Sequence, residues 1–152
     1  MEPRFRLPLL DRLMWPSELS DGMGELRSGT FDQIKDSVIR DLNCLLNCRQ
    51  PKQNDFGKYP ATRASVLRYG LPDFITYSLN TDQAQNDLAL AIAQVIRDFE
   101  PRLTNISIAP MLDGGRLIFR VKADLQIEPA KERVQFQAEL EADSGRLIMG
   151  EI

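Results

Sequence analysis

The chain has 152 residues, 43% of them hydrophobic and 27% charged, which suits one domain with a real core and not a disordered tail. Its formal net charge of -3 argues against sequence-independent nucleic-acid binding, and no apolar run approaches the roughly 18 to 20 residues of a membrane span. Histidine is absent, which removes histidine triads, the commonest general acid–base group and the usual zinc-ligand sets.

The opening Met1-Glu2-Pro3-Arg4-Phe5 lacks the layout of a signal peptide, so a cytosolic protein is expected. Residues 1–29 hold Leu7, Leu9, Leu10, Leu13, Met14 and Trp15, interrupted by Pro3, Pro8 and Pro16, and end in a Ser/Asp/Gly-rich stretch. They read as an extended N-terminal arm with a short helical turn at most.

Thr30 is a good cap for a helix running to about Asn47. Phe31, Ile34, Val38, Leu42, Leu45 and Leu46 share one face, with Asp36, Arg40, Asn43 and Asn47 opposite. Cys44 and Cys48, four apart on this helix, are expected to be small buried apolar groups, and the sequence supplies no further soft ligands for a metal. The run from Gln50 to Asp55 has no periodicity and reads as a loop. The stretch Ser65 to Phe74 carries Gly70 and Pro72 between apolar anchors, which marks a turn tied down at both ends.

Thr81 caps the second helix, with Asp82 at its positive end and Leu88, Ile92, Val95, Ile96 and Phe99 in one stripe. Leu90 falls on the opposite face. The helix closes on Glu100, an unfavourable charge where carbonyl dipoles prefer a cation, and Pro101 stops it before Arg102. Beyond Arg102 the period changes to two. Four alternating runs follow, separated by Asp113-Gly114-Gly115, a loop over 128–132, and Asp143-Ser144-Gly145. The fold class expected is α+β: a two-layer domain over 30–152, with two main helices packed on a four-stranded antiparallel meander sheet. Such a meander leaves its last strand, with Leu147, Ile148 and Met149, as a poorly guarded edge. A glycosidase needs a second carboxylate across a cleft from Glu100, and no spacing singles one out among the chain's 22 acids. No glycine-rich phosphate loop follows a strand, and no cofactor is expected.

Several stretches together resemble one family, the phage-tail baseplate wedge or sheath-initiator proteins and their type VI secretion relatives, the TssE proteins. They are Leu9 to Leu13, Ser37-Val38, Leu45 to Arg49, Ser65 to Asp73 and Phe99 to Leu103, followed by the alternating strands and the Ser144-Gly145 turn. Each motif alone is weak, but the ordered set covers nearly the whole chain, and the leucine-rich arm points to the secretion branch. Cys48 departs from the family pattern, which has a threonine-like residue there. The resemblance implies a cytoplasmic structural subunit, without enzyme activity, of a baseplate docked at the inner membrane complex. It implies that Glu100, Pro101 and Arg102 dock on the wedge subunits TssF and TssG, while the residues themselves leave open an internal Glu100–Arg102 ion pair that fixes the corner between helix and sheet. It also implies that the sheet pairs with strands of the sheath proteins TssB and TssC, through Leu147, Ile148 and Met149. The alternative from another class is a lysozyme-like peptidoglycan muramidase acting through Glu100.

Overall fold

In the computed structural model, which describes residues 5–6, 28–51, 65–74, 79–127, 130–141 and 144–151, the helices and the sheet follow the apolar periodicities of the chain. By compactness the chain divides between Asp41 and Leu42 into a unit Met1–Asp41 and a unit Leu42–Ile152. The first unit holds β1 (Phe5–Arg6) and β2 (Ser28–Gly29), an antiparallel pair with Phe5 opposite Gly29. The remainder of the expected arm lies outside the described residues. Helix α1 (Phe31–Asn47) starts here with a reciprocal cap, Gln33 N–H donating to Thr30 Oγ1 at 3.4 Å and Thr30 N–H donating to Gln33 Oε1 at 3.0 Å. Ile34, Ser37 and Val38 are buried along it.

The second unit contains the last turns of α1, helix α2 (Asp82–Phe99), and strands β3 (Leu103–Asp113), β4 (Arg116–Ile127), β5 (Ala130–Leu140) and β6 (Leu147–Glu151). The strands form one antiparallel sheet in the order β3-β4-β5-β6, the meander expected from the sequence. Thr81 caps α2, its Oγ1 accepting Ala84 N–H at 3.3 Å, and the buried stripe of the helix, Leu88, Ala89, Ile92, Val95 and Ile96, packs beside β3. One sheet face supplies the facing layer: Leu117, Phe119, Val121, Ala123 and Leu125 from β4, Val134, Phe136 and Ala138 from β5, Leu147 and Met149 from β6, all buried. The result is the two-layer α+β fold.

Four local details differ from the sequence expectations, the first being the loop expected over 128–132, of which 130–132 pair with β4 as the start of β5. Cys44 and Cys48 are exposed free thiols: the buried stripe of α1 passes through Leu42, Leu45 and Leu46 and leaves Cys44 on its outer side, and Cys48 follows the last helical residue, Asn47. Asn43 and Asn47 are half-buried and face β6 instead of solvent. Ile118 and Asp124, on the nominally wet face of β4, are buried. Asp124 is held by Asn105 Nδ2 at 2.7 Å and by Arg133 Nε at 3.4 Å, and Asn105 reaches it from a bulge in β3 where its φ is +52°.

Candidate functional site

The junction between α2 and β3 is a hydrogen-bonded turn. Glu100 N–H closes the helix on Ile96 C=O at 2.8 Å, and Leu103 N–H donates to Glu100 C=O at 3.1 Å. Pro101 occupies the second position of that turn, where its fixed φ is already right. Gln126 N–H donates to Arg102 C=O at 2.8 Å, which ties the turn to β4.

Here Glu100 finds the cation that its helix end lacks. Arg102 Nε donates to Glu100 Oε1 at 2.6 Å and Arg102 Nη2 to Oε2 at 2.5 Å, a two-pronged pair, while the Arg102 backbone N–H reaches Oε1 at 3.3 Å. The Glu100 side chain is 6% exposed and that of Arg102 23%. Glu100 and Arg102 therefore face each other, with Pro101 and the outer side of Arg102 turned to the surface. The segment from Ser65 to Phe74 leans on the same corner, since the Tyr69 ring meets Phe99 edge-on with centroids 5.4 Å apart. Gln50 clamps that segment from the other side, its Nε2 donating to Arg68 C=O at 2.9 Å and Gly70 C=O at 2.7 Å. Leu71 and Phe74 are the buried anchors expected of the tied turn, and Val66, on its 3-10 turn (Val66–Arg68), stands 84% exposed.

The opposite edge of the sheet carries the other sequence-predicted residues. Leu147 and Met149 turn their side chains into the core, and Ile148 is half exposed on the outer face. The backbone of β6 away from β5 is taken up by side chains. Leu147 N–H donates to Asn47 Oδ1 at 3.0 Å, Asn47 Nδ2 donates back to Leu147 C=O at 2.8 Å, and Met149 N–H donates to Asn43 Oδ1 at 2.9 Å. Arg49 adds a bond from Nη2 to Gly145 C=O at 2.7 Å, with its guanidinium 4.5 Å over the Phe74 ring. Burial pulls the Arg49 pKa below its ordinary value against the opposing Asp73 carboxylate, and the arginine remains charged. Sequence reasoning assigned Asn43 and Asn47 to the polar face and missed this closure. The available signal was a pair of poor helix formers one turn apart at the end of a helix.

A groove of about 910 Å³ opens where the β3–β4 and β5–β6 turns meet the start of α2, lined among others by Phe74, Leu79, Leu112, Leu117, Glu139 and Glu141. Glu100 is not part of it. Glu139 pairs with Arg116 at 2.9 Å, and Glu141 accepts the Ser144 hydroxyl at 2.6 Å. Among the described residues no cluster of histidine, cysteine or acidic groups could hold a metal ion, and no helix is long and apolar enough to cross a membrane.

The family described as baseplate wedge protein gp25 matches residues 32–130, well over half of the chain and all of the corner from Phe99 to Leu103. No curated protein and no solved structure matches the chain.

Proposed function

The chain belongs to the baseplate wedge protein gp25 family, and from that membership we propose that it is a structural subunit of a type VI secretion baseplate, on which a contractile sheath begins to assemble. The match to the family over residues 32–130 carries this reading. The surface offered to the wedge subunits TssF and TssG is Pro101 with the outer side of Arg102, and Glu100 serves from beneath by fixing the guanidinium. The sheet supplies pairing for strands of the sheath proteins TssB and TssC, through the β6 edge at Leu147, Ile148 and Met149. The working location is the cytoplasmic side of the inner membrane complex.

The muramidase alternative has little physical support. A general acid must reach its substrate, whereas both oxygens of Glu100 are engaged by Arg102 below the surface and away from the groove. The test is co-purification of the tagged full-length chain from cells expressing the wedge and sheath subunits. TssF, TssG, TssB and TssC are expected in the eluate, and purified protein is expected to leave the turbidity of a cell-wall suspension unchanged. Clearing of the suspension, or an eluate without any of the four subunits, contradicts the reading.

A further inference from the structure

The spacing of Asn43, Asn47 and Arg49 along α1 and beyond it matches the spacing of backbone groups along β6. One i, i+4 step on a helix rises about 6 Å, and a two-residue step along a strand advances about 6.6 Å. Asn43 and Asn47 thus meet Met149 and Leu147 in succession, and Arg49 meets Gly145 one step further. Amide oxygens and an amide nitrogen stand where the carbonyls and N–H of a neighbouring strand would be.

We propose that these side chains act as a stand-in strand closing the outer edge of β6, and that a partner's extended strand enters by displacing the two asparagine amides. The proposal rests on the strand-pairing reading above and adds a latch to it. Three features make the asparagines displaceable. Each bond exchanged is a neutral amide bond for another of the same kind, so the swap is close to even. Both side chains are only partly buried and can turn into water, and Asn47 Nδ2 keeps a second acceptor on its own helix, Asn43 C=O at 2.8 Å. Among the described residues nothing bonds to the outer side of β6 beyond Met149 N–H, which leaves Met149 C=O and Glu151 as a starting point for an incoming strand. Arg49 differs. Its Nη1 also donates to Leu46 C=O at 3.0 Å and its guanidinium lies over Phe74, so it stays in place at Gly145 and fixes where the added strand must end.

The test measures binding of the purified TssB–TssC pair to the full-length chain and to Asn43→Ala/Asn47→Ala, with hydrogen exchange on β6. Alone, the variant is expected to exchange the Leu147 and Met149 amides rapidly while the Ile148 and Gly150 amides stay slow. Bound, it is expected to protect Leu147 and Met149 again and to bind about tenfold more tightly than wild type, one net hydrogen bond's worth. Equal or weaker binding by a folded variant overturns the latch while leaving strand pairing standing. A wild-type measurement covers a variant that fails to fold. In chain labelled with ¹⁵N asparagine, the Asn47 side-chain amide proton that bonds Leu147 C=O is expected to exchange slowly when free and quickly in the complex, and an unchanged rate overturns the proposal. If the TssB–TssC pair binds neither form, the strand-pairing reading fails first and takes the latch with it.

Discussion

At Glu100 a carboxylate ends a helix whose carbonyl dipoles repel it, below the surface, and the same turn delivers the guanidinium that neutralises it. The two partners are not equally placed, with side-chain exposures of 6% for Glu100 and 23% for Arg102, and this gives an asymmetric expectation. Arg102→Ala strands a charge that cannot reach water, a loss of roughly 3 kcal/mol. Glu100→Ala leaves a guanidinium that can swing outward, a loss of roughly 1 kcal/mol. Urea unfolding of the two variants measures the difference, and equal losses would show that the deeper burial of Glu100 does not set the cost of breaking the pair. For the wedge subunits the order differs: both variants should bind poorly, because Arg102 is absent in one and has lost its two-pronged carboxylate partner in the other. The charges and the proline of this junction were legible as an anomaly in the sequence. An internal ion pair at this corner and a pairing with a partner were both open from the sequence, and the turn geometry that decides for the internal pair is set by Leu103 and Gln126 anchoring the turn.

Among the elements, the segment from Ser65 to Phe74 shows how an irregular stretch is held. Gly70 has a φ of +100°, and a Cβ placed there would stand 2.5 Å from Cys48 C=O, on the backbone that bonds Leu71 N–H at 3.0 Å. Gly70→Ala therefore combines a disfavoured backbone with a clash against main chain that cannot rotate away. A loss of roughly 3 kcal/mol is expected in thermal or urea unfolding, with faster exchange at the Leu71 amide. A change under about 0.5 kcal/mol would mean that the clamp is unimportant to the fold. The helices were legible because burial imposes a 3.6-residue period on α1 and α2, and both were expected with their observed starts. Asn43 and Asn47 were misplaced for the converse reason. A polar side chain on a helix satisfies the same pattern whether it meets water or the backbone of a strand 100 residues away.

For the whole molecule, β6 is short, yet it completes both the sheet and the core. Its Leu147 is fully buried and its Met149 nearly so, and it occupies the β5 edge from Phe136 to Leu140. Deleting residues 147–152 is expected to abolish the cooperative melt followed by circular dichroism, whereas Ile148→Lys, on the half-exposed outer face, should change stability by less than about 0.5 kcal/mol. A truncated chain with a normal melt would show that the sheet is complete without β6. The order of elements, the α+β class and the meander were determined by the sequence itself, since period and turn chemistry are local properties that each segment carries alone. The family resemblance was legible in the same way, as ordered short motifs, and the match over residues 32–130 bears it out. Only the tertiary structure decided which charges pair, which thiols face outward and what covers the last strand. What covers the last strand and what holds Asp124 depend on contacts between segments far apart in the chain, and the Glu100–Arg102 pair, though only two residues apart, depends on the long-range bond from Gln126 that holds its turn.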